Sequence, residues 1–406
     1  MEWKLKDLTV DGKGSYGIGA PAVPYQEDKL TYLRITDIND DGSLNFSDLK
    51  SVDAEDAEKY ILKENDIVFA RTGNSTGRSY FYEKQHGTFV YAGFLIKFSL
   101  DPHKVNPRIL KYYTHSKPYF DWVNSFDTGG TRGNINAKTY GDMEIELPSR
   151  KVQDNIVSIL SSLDRKIELN NQINADLEEM AQAIFKNWFV DFEPFKDGKF
   201  VESELGIIPK GWKVGRADDF YQINIGKTPP RKEHQWFSTN PADKIWVSIA
   251  NMGNSGIFIS DSSEYLTKEA VDSHNIIMVP RNTILLSFKL TVGRVAIADK
   301  ELTTNEAIAR FILSDDKYME YLYLYLKKYN YKSLGSTSSI ATAVNSKTIK
   351  GMQMLQPSNN VINAFHTLTN PIFEKIRSLS KENTELSALR DTLLPKLMSG
   401  ELEVSE

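Results

Sequence analysis

The residue spacings that most often carry catalysis or bind a cofactor are incomplete in this sequence. GIGA (17–20) has part of the glycine spacing of a dinucleotide-binding turn, but without the strand and helix that such a turn connects. GNSTGRS (73–79) has arginine where a phosphate-binding loop requires lysine. NPAD (240–243) lacks the second proline and the aromatic residue of an adenine-methyltransferase box. The six histidines have no paired ligand spacing. We therefore expect no catalytic residues, no metal and no cofactor in this chain.

The composition is that of a globular protein. The chain has 406 residues, of which 40% are hydrophobic and 25% charged, and its formal net charge is −5. It contains no cysteine, which excludes disulfides and thiolate ligands. No apolar run is long enough to span a membrane, and MEWKLKDL (1–8) has no secretory apolar core. These features predict a cytoplasmic protein. Because the net charge is acidic, any nucleic-acid site must be argued from local features.

A long stretch of the sequence occurs twice. Two stretches can be aligned by placing Asn136 on Asn345, and they then share six identical residues. They are TGGTRGNINAKTYGDMEIELPS (128–149) and GSTSSIATAVNSKTIKGMQMLQPS (335–358). Further matches precede them in the same order: YLRITDINDDG (32–42) with IWVSIANMGNSG (245–256), and NDIVFARTGNSTGR (65–78) with NTILLSFKLTVGR (282–294). We infer a tandem duplication. Since Thr139 and Thr348 each follow the repeated asparagine by three residues, we expect these residues to have a shared structural role, such as a cap or a turn.

Each copy combines a β-rich part with a long helix. Residues 1–149 and 199–358 contain short segments rich in Val, Ile, Phe and Tyr between Gly, Asn, Asp and Ser clusters, which predicts strands. Apolar residues at spacings of three and four follow, which predicts helices over 150–190 and 359–394. Their length and narrow stripe favour an antiparallel coiled coil over an ordinary amphipathic helix. The predicted seam residues are Ile156, Ile159, Leu163, Ile167, Leu177, Ile184, Leu368, Ile372, Ile376, Leu386 and Leu393.

The ends of both helices resemble a known family. MAQAIFKNWFVDFEPF (180–195) and LRDTLLPKLMSGEL (389–402) resemble signatures of the specificity subunits of type I restriction–modification systems, and GGTRGNINAKTYGDMEIELPS (129–149) resembles the end of a recognition domain in that family. The resemblance covers essentially the whole chain. It implies an α+β fold with two β-rich target recognition domains (1–149 and 199–358), separated by two long antiparallel coiled-coil helices with a linker and a tail (150–198 and 359–406), in an internal pseudo-twofold repeat.

Residues that could read DNA lie on predicted loops between strands. Base edges are discriminated mainly by Arg or Lys at guanine and Asn or Gln at adenine, while other contacts fix the position on the phosphate backbone. Loops on a rigid scaffold are the expected place for such side chains. The candidates are Arg71, Asn74, Ser75, Arg78, Thr131, Arg132 and Asn134 in the first domain, and Lys289, Thr291, Arg294, Ser336, Thr337 and Ser338 in the second. The alternative for any one of them is an ordinary turn residue.

The resemblance also implies partners. It implies a subunit without chemistry of its own, bound to double-stranded DNA, to two modification subunits that carry S-adenosylmethionine, and to restriction subunits. Two different domains would read the halves of an asymmetric bipartite site, and the helices would set the unread gap. The aromatic residues Trp188, Phe189, Phe192 and Phe195 are candidates for docking a modification subunit, or equally for packing within the chain. An alternative function is a helical scaffold or adhesion-type protein whose β-rich domains bind proteins or glycans.

Overall fold

The computed structural model describes residues 2–126, 133–334 and 344–404. The chain divides into two compact units. Unit 1 consists of residues 1–166 and 385–406, and unit 2 of residues 167–384. Each unit includes one β-rich part, which we call domain 1 (2–147) and domain 2 (200–356), together with part of each long helix.

Domain 1 consists of short strands and short helices, and it is followed by the first long helix. The strands are β1 Glu2–Lys4, β2 Ser15–Tyr16, β3 Ala22–Pro24, β4 Thr31–Leu33, β5 Lys50–Val52, β6 Asp66–Ala70, β7 Ser79–Phe81, β8 Phe89–Tyr91, β9 Leu95–Ser99 and β10 Glu144–Glu146. The helices are α1 Pro107–Tyr113, α2 Lys117–Asn124, α3 Ala137–Gly141 and the long α4 Arg150–Phe189.

Domain 2 has the same kinds of element, and the second long helix follows it. The strands are β11 Phe200–Ser203, β12 Gly206–Pro209, β13 Lys213–Arg216, β14 Gln222–Ile225, β15 Phe237–Ser238, β16 Lys244–Val247, β17 Phe258–Ile259, β18 Tyr265–Leu266, β19 Ile284–Ser287, β20 Val295–Ala298, β21 Thr303–Thr304, β22 Ile308–Ile312 and β23 Gln353–Gln356. The helices are α5 Ala217–Phe220, α6 Ile249–Asn254, α7 Lys268–Ser273, α8 Met319–Lys328, α9 Ser346–Lys350 and the long α10 Asn359–Met398.

The two domains have matching sheet topologies. The order β2-β9-β6-β7 in domain 1 corresponds to β14-β22-β19-β20 in domain 2, where β17 extends the sheet. The order β3-β5-β4-β8 corresponds to β15-β18-β16-β21, and in both of these sheets the last pair is parallel. In domain 1 the first strand β1 pairs antiparallel with the last strand β10, with Trp3 opposite Ile145. In domain 2, β13 pairs antiparallel with the last strand β23, with Val214 opposite Leu355. This agreement confirms the predicted α+β fold and its internal repeat.

The central strands form because their apolar residues can be buried on both faces. In β6, Ile67, Val68 and Phe69 are all fully buried, and the corresponding β19 is buried throughout. Such runs are typical of strands covered on two sides. One side of β6 packs against the rings of Tyr119 and Tyr140, whose centroids lie 6.3 and 4.8 Å from that of Phe69. The sheet is therefore a rigid base for the loops at its edge.

Both ends of the long helices are part of the domain cores. In unit 1, Ile156 and Leu160 of α4 and Leu394 of α10 belong to the apolar core of domain 1. In unit 2, Phe185 of α4 and Phe365 of α10 belong to the core that contains α8 and β22. Each helix has 40 residues, so it is about 60 Å long at ~1.5 Å per residue. None of the helices in the described part of the chain has the apolar stretch that a membrane span requires.

Polar contacts join α4 and α10 in each unit, and those of unit 2 show that the two helices run antiparallel. In unit 1, Arg390 Nη1 lies 3.2 Å from Asp164 Oδ1. In unit 2, the fully buried Asn170 donates from Nδ2 to Asn383 Oδ1 (2.8 Å) and Glu382 Oε2 (2.9 Å). Further along α4 in the same unit, Asn174 Nδ2 donates to Ser380 Oγ (3.4 Å), so partner numbers fall along α10 as residue numbers rise along α4. A buried asparagine at such a position specifies the register of a coiled coil.

The burial of the predicted seam residues is uneven. Ile156 and Ile376 are buried, and most of the others are partly buried: Leu163, Ile167, Leu177, Ile184, Ile372, Leu386 and Leu393. Ile159 and Leu368 are 36% and 47% exposed, so their assignment to the seam was wrong. The neighbours Leu160 and Thr369, about 100° further round each helix, are fully buried instead. Thr369 can be buried because its hydroxyl donates to Phe365 O (2.9 Å).

The aromatic residues at the end of α4 pack within unit 2. Phe189 is only 5% exposed, and its ring centroid lies 4.8 Å from those of both Tyr321 and Phe365. The other predicted docking residues, Trp188, Phe192 and Phe195, are partly buried against the same core. For Phe189 the prediction of a partner-docking surface was therefore wrong, because the chain itself covers this ring.

Candidate nucleic-acid interface

The β6–β7 and β19–β20 connections share their closing hydrogen bonds and their places of positive φ, although the first is one residue longer. We call them loop 1 (71–78) and loop 2 (288–294). Arg78 O accepts from Ala70 N (2.8 Å) in loop 1, and Arg294 O accepts from Ser287 N (2.9 Å) in loop 2. Each loop has positive φ at two corresponding places, Gly73 (70°) with Leu290 (61°), and Gly77 (90°) with Gly293 (95°). The duplication therefore extends to the predicted reading loops, although their exposed residues differ.

Arg71 of loop 1 is held between two exposed aromatic rings. Its guanidinium carbon lies 5.3 Å from the ring centroid of Tyr16 and 5.9 Å from that of Phe94. These rings are 45% and 55% exposed. Arg71 Nε is buried and has no hydrogen-bond partner among the described residues. A planar guanidinium held on aromatic faces is suited to bind the two acceptors of guanine. This geometry supports Arg71 as a reading residue.

The structure brings loop 1 next to the second predicted stretch of domain 1. Ile135 N donates to Arg71 O (3.0 Å), and Thr76 Oγ1 donates to Gly133 O (3.1 Å). Asn134 lies between these contacts and is exposed. The candidates Thr131 and Arg132 lie outside the described residues, as do Ser336, Thr337 and Ser338 in domain 2.

Not all loop candidates are presented to solvent. Asn74 is exposed, but Ser75 is only 7% exposed, which contradicts its assignment as a DNA contact. Ser75 ends a short 3₁₀ turn, Gly73–Ser75, and its carbonyl accepts from Arg78 N (2.9 Å). The turn directs this residue inward, whereas composition alone could not distinguish the two sides of the loop.

The repeated arginines of the two loops bond to their own domains. Arg78 Nε lies 2.7 Å from Asp40 Oδ1, and Arg78 Nη1 donates to Ile38 O (3.0 Å). Arg294 Nη1 donates to Ile249 O (2.8 Å), the first residue of α6. Both arginines thus attach the loop to the segment after the first parallel strand of their domain. A contact from either to DNA stays a prediction.

Loop 2 presents exposed side chains from a hydrogen-bonded frame. Ser287 Oγ donates to Thr291 O (2.6 Å) and accepts from Arg294 N (3.0 Å). Lys289 and Thr291 are exposed. These two candidates are therefore presented outward by a short, well-bonded turn, as reading residues require.

A charged cluster in domain 2 was not predicted from sequence. The guanidinium of Arg231 lies 4.4 Å from the ring centroid of Phe237 and 4.5 Å from that of Trp246, and its Nη1 donates to both carboxylate oxygens of Glu264 (2.7 and 2.8 Å). Its Arg/Lys-rich segment, GKTPPRK (226–232), was a signal, but the aromatic and acidic partners are distant in sequence. The guanidinium is thus paired with a carboxylate and held on two aromatic rings, while part of the side chain stays exposed.

Glu306 connects this cluster with loop 2. Burial raises the pKa of Glu306, but the hydrogen bond from Thr228 and the charges of Lys289 and Arg231 outweigh it, so the pKa lies below its ordinary value. Two cations of domain 2 are therefore close enough to act on one carboxylate. Among the described residues, no group of three His, Cys, Asp or Glu side chains is placed to hold a metal.

Several repeated residues form the scaffold beneath the loops. Tyr32 Oη donates to Ile18 O (2.9 Å), and the corresponding Trp246 Nε1 donates to Lys227 O (3.2 Å). The residue before each acceptor is glycine, Gly17 in domain 1 and Gly226 in domain 2. A Cβ at Gly226 would lie 2.0 Å from Asn305 O. These contacts fold each domain in the same way, whatever its exposed loop residues are.

The repeated asparagines are helix caps, as their recurrence predicted. Asn136 Oδ1 accepts from Thr139 N (2.9 Å) at the start of α3, and Asn345 Oδ1 accepts from Thr348 N (3.0 Å) at the start of α9. This role satisfies backbone N–H groups that have no partner within the helix.

Removing either cap should destabilise its own unit. We expect Asn136→Ala and Asn345→Ala each to lower the free energy of unfolding by ~1 kcal/mol, because one backbone N–H loses its acceptor. Calorimetric melting of both variants measures this, with Asn136→Asp and Asn345→Asp as controls that keep the acceptor. Unchanged melting of both alanine variants would contradict the capping role.

Comparisons with known proteins agree with the duplicated fold. A family model described as type I restriction modification DNA specificity domain matches residues 16–179 and again 209–364. The HindI specificity subunit of Haemophilus influenzae is 27% identical over 408 residues, covering 85% of this chain and 88% of that protein. The MjaIX specificity subunit of Methanocaldococcus jannaschii is 31% identical over 307 residues, covering 73% of this chain and 69% of that protein. The type I S subunit of M. genitalium has a similar fold, with a TM-score of 0.54, 15% identity, and coverage of 98% of this chain and 95% of that one.

Proposed function

Because the chain belongs to the family of type I restriction–modification specificity subunits, we propose that it reads DNA for such a complex and carries no catalytic residues. Each domain reads one half of an asymmetric bipartite site. Double-stranded DNA, two modification subunits and restriction subunits are its partners in the cytoplasm, with S-adenosylmethionine on the modification subunits. The family match supports this function over a scaffold or adhesion protein.

One observation carries the proposal of two different half-sites. The scaffold is repeated, including the caps at Asn136 and Asn345, whereas corresponding positions of loops 1 and 2 differ in charge and shape. Arg71 at the start of loop 1 corresponds to a fully buried Phe288, and Gly73 corresponds to Leu290. Since bases are distinguished by the side chains that reach their edges, two such loops should select different sequences.

The direct test is DNA binding by the assembled protein. The chain, purified together with its modification subunits, should retard a duplex that contains its target more strongly than a scrambled duplex of equal length. Added salt should weaken binding to both duplexes, since phosphate contacts release counterions. Equal retardation of the two duplexes at every salt concentration would contradict the proposal.

We further propose that the long helices set the gap between the half-sites. Within unit 1, Asp164 and Arg390 fix the pairing of α4 with α10, and within unit 2 Asn170 and Asn383 do so. Because the register is fixed, the length of helix between the segments that pack into each domain is constant. If the helices set the gap in this way, the gap changes only when both helices are lengthened or shortened together.

Matched insertions should lengthen the gap. Four residues added after Ile173 in α4 and four after Ser380 in α10 add ~6 Å of helix, close to one full turn. At about 3.4 Å per base pair, the gap in the methylated motif should grow by one or two base pairs while both half-sites stay the same. The control is the α4 insertion alone, which moves Asn174 out of register with Ser380 and should abolish methylation. An unchanged gap in the matched variant would contradict the proposal that helix length sets the gap.

A further inference from the structure

Leu290, at the tip of loop 2, is an apolar side chain in an unfavourable position. It is 100% exposed, and its backbone is left-handed, with φ of 61°. Leucine adopts this conformation at a cost, because its Cβ approaches the following carbonyl oxygen. Exposure of the whole isobutyl group to water adds a second cost. Within the described part of the chain, the full exposure of Leu290 leaves neither cost offset by packing.

The other left-handed residues show why Leu290 is different. Among the described non-glycine residues with positive φ are Asn65, Asn275 and Asn282, whose short polar side chains tolerate this conformation. Phe192 is the remaining one, and its ring packs against Trp212 at a centroid distance of 5.6 Å. Leu290 has neither of these compensations.

The internal repeat shows which residue domain 1 has at the position of Leu290. The corresponding position of loop 1 is Gly73, with φ of 70° and open space around its Cβ position. Glycine adopts such a conformation without a steric cost. Domain 1 therefore has at this position the residue that suits a positive φ, and nothing in the fold of loop 2 requires leucine there.

The frame of loop 2 holds Leu290 outward. Gly293, the second residue with positive φ in loop 2, donates from N to Ser287 O (3.0 Å). A Cβ on Gly293 would lie 2.9 Å from the ring of Tyr331, so this glycine packs closely against the rest of the domain. The neighbours Lys289 and Thr291 are also exposed. An isobutyl group beside a cation is the combination that contacts a base methyl group while a phosphate is bound next to it.

We propose that Leu290 is a base-contacting residue of domain 2, packing its isobutyl group against the C5 methyl group of a thymine in the major groove. Lys289 binds the adjacent phosphate. Backbone strain is retained where function requires the residue, and here the strained residue is fully exposed at the tip of its loop. The inference rests on the proposed function, since it assigns one specificity contact within the half-site that domain 2 reads.

The test uses the complex of the full chain with its modification subunits and a duplex containing its methylated motif. Leu290→Gly should weaken binding about tenfold and relax discrimination at one T·A position of a single half-site. Its melting temperature should not fall, because glycine relieves the strain. Leu290→Asn should behave like the glycine variant, whereas Leu290→Met should retain binding, since it keeps an apolar side chain.

Thymine-to-uracil substitution identifies the methyl group. At the position that Leu290 contacts, uracil should weaken binding of the wild-type complex but not of the Leu290→Gly complex. Equal binding by wild-type and glycine variants, a loss without any thymine-dependent position, or a fall in melting temperature that accounts for the loss would each overturn the inference. A wild-type complex that binds all DNA equally would instead contradict the proposed function, and the inference with it.

Discussion

Replacing Phe189 with alanine should lower the free energy of unfolding of unit 2 by ~4 kcal/mol. The ring lies in the core at the end of α4, and it also contacts Trp212 at a centroid distance of 5.7 Å. Removing it leaves a cavity between α4, α8 and α10 that large aromatic neighbours cannot fill by small movements. For a unit of this size the melting temperature should fall by about 10 °C.

The matched control is the next residue, Val190. It is 47% exposed, so Val190→Ala removes little buried surface and should leave the melting temperature nearly unchanged. Calorimetry of both variants separates a core role for Phe189 from a partner-docking role. If Phe189→Ala melted like Val190→Ala and only lost the modification subunit, the aromatic cluster would be a docking surface after all.

Exchanging domain 1 should change one half of the methylated motif completely and leave the other half as it was. The segment to exchange is 1–149, taken from a relative with a different target. Pairing of β1 with β10 closes this segment on itself, and domain 2 closes in the same way through β13 and β23. Each domain therefore holds its own reading loops, and the motif can be read by sequencing methylated genomic DNA.

The helix residues that complete the core of domain 1 require a second chimera. Ile156 and Leu160 of α4 and Leu397 of α10 belong to that core, so a foreign domain can pack poorly against them. A chimera that also carries 150–166 and 385–406 of the relative supplies the matching surface. Both chimeras should show the same motif, with the second more stable. A change in both half-sites, or in neither, would contradict the model of two independent domains.

Periodicity and repetition were sufficient to predict the long helices and the duplication, but side-chain burial was not predictable in the same way. Ile159 and Leu368 fit a spacing of three and four, yet the buried positions belong to Leu160 and to a threonine whose hydroxyl bonds to its own helix. The spacing of apolar residues cannot show that a buried polar side chain has a hydrogen-bond partner within its own helix. This is why two seam assignments failed while the helices themselves were correct.

Long-range contacts explain what the sequence could not show at the candidate interface. Arg71 was selected by residue type, but its position between Tyr16 and Phe94 depends on a strand and a turn elsewhere in the fold. Arg231 was missed because Trp246 and Glu264, which hold it, follow many residues later. An aromatic cluster has the same sequence whether it is covered by its own chain or by a partner, so Phe189 could be assigned only from the structure.

The central claim is that this chain selects a bipartite DNA site for a modification complex. The measurement that tests it most directly is genome-wide sequencing of DNA methylation in cells with the gene and in cells from which it has been deleted. We predict one asymmetric motif with two read halves and an unread gap, present in the first cells and absent from the second. Identical methylated motifs in both would show that this chain does not choose where the DNA is modified.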